Sequence, residues 1–277
     1  MEQKQAQATP PPTIQKPWSL GVFSGNTLKY FAAVLMVCDH LHQFFFQGVT
    51  QADWLNWLGR PVKPIFLFMC AEGFYHTRSK FRYALKLYIG SCIMSTINLM
   101  LPTLKDGTFM VNNIFSTMCV SVLYMWFYQM VVTGIKEKKT VKILGGIGLA
   151  VLLYLPVILF NYLWIPMTSA VDIALNFIPN AMRIEGGFVM VALAVAFYAL
   201  RSNRLLQMLP LVLISIIIFI TEQGGGGHIA WMMIFAVIPL LLYNSKRGAG
   251  GNFSKYFFYI FYPAHLYVIY FIALALQ

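Results

Sequence analysis

Four ionisable residues stand inside otherwise apolar stretches. They are Asp39 and His40 in AAVLMVCDHLHQFFF, Glu72 in PIFLFMCAEGFYH and His265 in YFFYIFYPAHLYVIYF. A charged side chain at the centre of a membrane helix costs about 2.5–3.5 kcal/mol on insertion scales, so such residues are expected to find partners inside a bundle and to mark a functional site. Imidazole is the general base whose ordinary pKa lies nearest neutrality. A nearby carboxylate can hold its tautomer and balance the imidazolium. This set suits attack of an amine or hydroxyl on a thioester, a reaction that also needs an oxyanion donor. It suits equally the proton relay of a transporter. Cys38, Cys70, Cys92 and Cys119 lie in apolar runs with no CxxC pair, so they read as core residues and no metal site is expected. No GxSxG, HExxH or Gly-rich phosphate loop occurs.

Spacing adds detail. Lys29 and His40 are eleven residues apart, close to three helical turns, so they share a face separated by a rise of roughly 16 Å. A cation at the rim with an imidazole above it would suit an elongated anionic ligand, although Lys29 also reads as a snorkelling anchor. Asp39 points about 100° away from His40 around the helix. It is expected to pair with His42 at i+3 or to clamp a residue from another helix. Glu72 and His76, at i and i+4, can pair. Pro263 is expected to kink the last helix and turn His265 inward; the alternative is a core histidine bonded to a neighbouring tyrosine.

The elements that must position these groups are membrane helices. The 277 residues are 59% hydrophobic and 10% charged, against about 45–50% and about 25% in soluble domains. That composition excludes a soluble enzyme, a disordered regulator and a disulfide-stapled secreted domain. The expected fold is all-α, a polytopic transmembrane bundle of nine to ten spans. Nine apolar stretches read as spans: 28–47, 61–77, 84–101, 109–134, 143–163, 184–200, 205–221, 228–243 and 256–276. The stretch 165–179 is too short, which suggests an amphipathic or re-entrant piece. Residues 1–20 are expected to form a disordered cytoplasmic tail without a signal-peptide core, and 21–277 a single membrane domain. The formal net charge of +11 is not read as a nucleic-acid footprint. Of the 20 Lys and Arg, only Arg60, Lys63, Lys105 and Arg183 fall in loops of the outer set. That asymmetry places the N-terminus in the cytoplasm. No internal repeat is present, and Gly224–Gly227 read as an outer loop, which weighs against a transporter.

Four segments carry a family resemblance: LKYFAAVLMVCDHLH (28–42), GRPVKPIFLFMCAEGFYHTRSKFRYALKLY (59–88), LLYNSKRG (241–248) and KYFFYIFYPAHLYVIY (255–270). Together they resemble TraX, the F-pilin acetylation protein family, within the wider group of transmembrane acyltransferases. The family's DH falls on Asp39 and His40, its GR on Gly59 and Arg60, and its EGF on Glu72, Gly73 and Phe74. The basic motif falls on His76, Thr77 and Arg78, and YPxHL on Tyr262, Pro263, His265 and Leu266. The related acyltransferase family three carries Arg, ten residues, then His in its first helix; Lys29 and His40 are similar, with a point charge replacing a bidentate one. Where relatives often place an acidic or amide residue after a serine late in span three, this chain reads Ser95-Thr96-Ile97.

The resemblance implies a multi-pass protein of the cell (inner) membrane that takes acetyl-CoA from the cytoplasm and acetylates an acceptor at the outer face. It implies a catalytic set of His40, Asp39, Glu72, Arg60 and His265. Donor phosphates would lie near Lys29, Arg78, Lys246 and Arg247. The rival readings are a proton-coupled transporter and a non-enzymatic membrane assembly factor.

Overall fold

The computed structural model describes residues 21–105, 107, 110–163, 166–222 and 229–276. The expected N-terminal tail and the Gly224–Gly227 loop lie outside these. The described chain is helical: α1 (Gly25–Leu41), α2 (Asp53–Gly59), α3 (Val62–His76), α4 (Lys80–Met100), α5 (Ile114–Glu137), α6 (Thr140–Val157), α7 (Ser169–Leu175), α8 (Gly187–Ala199), α9 (Arg204–Glu222), α10 (Val237–Leu241) and α11 (Gly251–Ala275). Single π-helical turns extend α1 (His42–Phe46) and α6 (Ile158–Tyr162), and a 3-10 segment (Ala230–Ala236) leads into α10.

Local sequence explains the helix starts. Ser24, Ser79, Asn113 and Thr168 each accept an N–H from the first turn of α1, α4, α5 and α7. The expected spans all return as helix, with adjustments. The third begins earlier, at Lys80, the fourth later, at Ile114, and the sixth is confined to Gly187–Ala199. The eighth is 3-10 before it is α. Pro263 sits inside a continuous α11, so the expected kink is not a break. The stretch 165–179 contains α7, whose seven residues span only about 10 Å. Helix α2, in the loop between the first two expected spans, was not anticipated.

The chain is a membrane protein. Among the described residues, four helical stretches are long and apolar enough to cross a bilayer: Ile114–Glu137, Thr140–Tyr162, Arg204–Thr221 and Tyr256–Ala275; Gly187–Ala199 and Ala230–Leu241 are apolar but shorter. Helix α6 leaves Val141, Leu144, Ile147, Val151 and Leu152 exposed, and α9 leaves Leu205, Leu209, Leu213, Ile217 and Ile220 exposed. In water such faces would drive aggregation. In lipid they are the ordinary outer surface, because the helices satisfy their own backbone polar groups. The centre is α3, where Ile65, Leu67, Phe68 and Phe74 are wholly buried. Phe68 meets Phe197 of α8 and Tyr243 edge-on at 5.5 and 5.6 Å. Helices α5 and α6 approach closely because Gly146 faces Val131 and the Phe127 carbonyl, where a Cβ would lie within 2.9 Å of both.

Candidate active site

His40 (α1) and His265 (α11) meet in the interior, with His40 Nδ1 and His265 Nε2 2.9 Å apart and their rings stacked at 5.0 Å. His265 Nδ1 lies 2.7 Å from the Phe261 carbonyl oxygen. A carbonyl only accepts, so His265 carries its proton on Nδ1. In the neutral pair, its Nε2 is then an acceptor and His40 Nδ1 must donate. His40 is thereby fixed in the tautomer whose lone pair is on Nε2, and that nitrogen has no hydrogen-bond partner among the described residues. The order Phe261 carbonyl, His265, His40 is a histidine-oriented base, in which the second imidazole takes the place a carboxylate usually fills.

Asp39 does not pair with His42. Its Oδ1 accepts from Arg60 Nη2 at 2.5 Å, while His42 Nε2 is 3.2 Å from Asp53 Oδ1. Helix α2 makes this possible: it folds the chain back on α1 and delivers Arg60, whose Nε also donates to the Asn56 carbonyl at 3.1 Å. Gly59 is required for the approach, since a Cβ there would stand 2.2 Å from Asp39 Oδ1. A second ion pair, Lys63 Nζ to Glu185 Oε1 at 2.9 Å, ties the start of α3 to the turn before α8. Glu185 Oε2 accepts the Asn113 N–H at 3.2 Å, and its own N–H donates to Thr117 Oγ1 at 2.8 Å. No spacing signal links positions so distant in sequence, so Glu185 and Lys63 escape sequence reasoning.

Glu72 belongs elsewhere. It lies 3.8 Å from His76 Nε2, as the i, i+4 spacing suggests, and accepts from Tyr243 Oη at 3.5 Å. These groups line a cavity of about 640 Å³ at the end of the bundle that holds the N-terminus of α1. Lys29, Arg78, Arg82, Lys86 and Arg247 line it too. Among the described residues, none of these five cations is ion-paired with a carboxylate. Lys29 and Arg247 were expected here and so was Arg78. Arg82 and Lys86 are counted in the sequence only as loop charges, although in α4 their interval of four puts them on one helical face, with Arg78 in the turn just before it. Lys246 does not line the cavity. Its carbonyl and that of Arg247 instead accept the N–H groups of Gly25 and Asn26 at 2.8 and 2.9 Å, capping α1. The Asn26 side chain donates to the Ala249 carbonyl at 2.6 Å, reinforcing the same junction.

A narrower apolar chamber of about 90 Å³ adjoins this cavity, and Lys29, Met69, Tyr83 and Tyr259 line both. Its wall includes Met36, Phe115, Phe261 and Tyr262. The Phe261 and Tyr262 rings lie 4.8 and 5.9 Å from that of His265. A basic mouth, an apolar chamber and a histidine pair thus follow one another along α1 and α11. Such an arrangement can hold a polyanion at one end and move a proton at the other. Among the described residues, no cluster of three His, Cys, Asp or Glu could hold a metal ion.

A family model described as "TraX protein" matches residues 24–273. No curated protein and no solved structure gives a match.

Proposed function

The chain belongs to the TraX family, and from that premise we propose that it is a membrane-embedded acetyltransferase that moves an acetyl group from acetyl-CoA to an amine or hydroxyl. The observation that carries the reading is the set of five unpaired cations around one cavity that adjoins the apolar chamber beside His40 and His265. Five cations facing one carboxylate, Glu72, are unfavourable together unless a further anion joins them. The polyphosphate end of CoA is such an anion, and its thin pantetheine arm suits the chamber beyond. The residues present therefore fit this donor. Lys29, Arg78, Arg82, Lys86 and Arg247 would hold phosphates, and His40 Nε2 would take the acceptor's proton. His265 would keep the imidazole oriented. Arg60 and Asp39 would brace α1 from outside the reacting centre, and Glu72 would set the charge balance of the mouth.

By the distribution of Lys and Arg, the basic mouth faces the cytoplasm and the N-terminus lies on that side of the inner membrane. The acceptor would then approach from the outer face, as a pilin-like protein or a surface glycan would.

Transfer of label from acetyl-CoA by the purified full-length protein tests the reading directly. CoA titrated into the protein in nanodiscs tests the donor site. Arg78→Ala or Arg247→Ala is expected to weaken binding about tenfold or more, because a hydrogen bond to a charged group is worth about 1.5–3 kcal/mol. Lys246→Ala should bind as the wild type does. Equal affinity across all three variants would remove the donor from this cavity.

A further inference from the structure

Tyr262 stands on α11 three residues before His265 and is 5% exposed. Its ring lies 6.5 Å from that of His40 and packs edge-on against Phe115 at 5.4 Å. Its hydroxyl oxygen accepts the N–H of Ile114 at 3.1 Å. Ile114 opens the 24-residue helix α5, so this N–H is one of those at a helix start that have no partner within their own helix. A phenol oxygen that accepts a hydrogen bond still has its own O–H to give. Among the described residues, nothing accepts it. A buried donor left unmade is costly, which a structural tie to Ile114 alone does not explain. The bond from the positive end of α5 also withdraws electron density from the phenol oxygen and strengthens the O–H as a donor. The same residue walls the apolar chamber that adjoins the basic mouth.

We infer that Tyr262 is the oxyanion donor of the transfer reaction, giving its O–H to the thioester carbonyl oxygen as negative charge builds there. The inference rests on the acetyltransferase reading and completes it, since His40 supplies a base but no donor for the oxygen. The acceptor's proton passes to His40 Nε2. The acceptor's lone pair forms the new bond to the carbonyl carbon, and the C=O π pair moves onto oxygen, where the Tyr262 O–H meets it. As the carbonyl re-forms, the C–S bond breaks. The thiolate leaves with that electron pair and takes the proton from His40.

The test uses full-length protein in nanodiscs, acetyl-CoA, hydroxylamine as surrogate acceptor, and release of the CoA thiol as readout. Tyr262→Phe keeps the ring and its packing. It should lower kcat by on the order of 10²–10³, the loss typical of one oxyanion donor, while CoA affinity stays at the wild-type value. Fluorinated tyrosines installed at position 262 keep the O–H and vary its acidity. Their kcat should rise with acidity, a trend that a merely structural tie would not produce. Wild-type kcat in Tyr262→Phe, or a flat fluorotyrosine series, overturns the role of Tyr262 while leaving the acetyltransferase reading standing. Failure of the wild-type protein to release CoA overturns both.

Discussion

His40→Gln is expected to lose acetyl transfer by about 10²–10⁴-fold, the usual contribution of a positioned general base, with CoA affinity unchanged. The partner substitutions should be graded. His265→Gln still offers an amide oxygen to His40 Nδ1–H and should retain more activity than His265→Leu, which offers none. The grading follows from the two distances that fix the tautomer, 2.7 Å from His265 Nδ1 to the Phe261 carbonyl and 2.9 Å between the imidazoles. Single-turnover kinetics with labelled acetyl-CoA separate these effects from binding. Undiminished transfer by His40→Gln would refute its role. Equal losses in the two His265 variants would refute the orienting role of His265 and leave His40 as base.

Gly59→Ala should be a strongly damaging small change to the bundle. A Cβ at this position would lie 2.2–2.4 Å from the Asp39 Oδ1, Cγ and Cβ atoms. Because the Asp39 Cβ is itself in the way, swinging the carboxylate aside does not relieve the clash, and α2 must move off α1. That separation also pulls Arg60 from Asp39. Overpacking of this kind costs about 1–3 kcal/mol. The lost ion pair adds only modestly, since both side chains keep some access to solvent, at 28% and 22% exposure. The expected result is a lower midpoint for loss of the monodisperse peak on heating in detergent. Gly146→Ala is a useful comparison, because it overpacks the α5–α6 contact, with a Cβ 2.8–2.9 Å from Val131 and the Phe127 carbonyl, without touching the α1–α2 junction. A Gly59→Ala protein as heat-resistant as the wild type would show that α2 is not held against α1 as described.

Much of this architecture was legible in the sequence, for identifiable reasons. Span positions follow from runs of apolar residues, which is why α5, α6, α9 and α11 were located within a few residues. The eleven-residue phasing placed Lys29 and His40 on one face because helical geometry is rigid over three turns. Pairings between helices were less accessible. Asp39 was matched by spacing to His42, but its partner is Arg60, delivered by a short helix that apolar counting does not detect. Glu185 joins Lys63 only through the fold. Lys246 looks equivalent to Arg247 as a charge, and both carbonyls cap α1, yet of the two only Arg247 lines the cavity. Arg82 and Lys86 are legible as a pair, since their interval of four puts them on one face of α4 beside Arg78 in the preceding turn.

The capping of α1 by the segment before α11 has a consequence for biogenesis. The N–H groups of Gly25 and Asn26 find their acceptors in Lys246 and Arg247, and His40 finds His265. In each case more than two hundred residues of chain must be synthesised between the first partner and the second. At about 5–20 residues per second, these groups of the first helix wait roughly ten seconds or more in the membrane unmatched, whereas Asp39 meets Arg60 early. The nascent protein therefore depends on its final helix for closure. A ribosome that stops before residue 246 releases a bundle whose first helix lacks these two acceptors and whose His40 is alone, a natural target for membrane quality-control proteases.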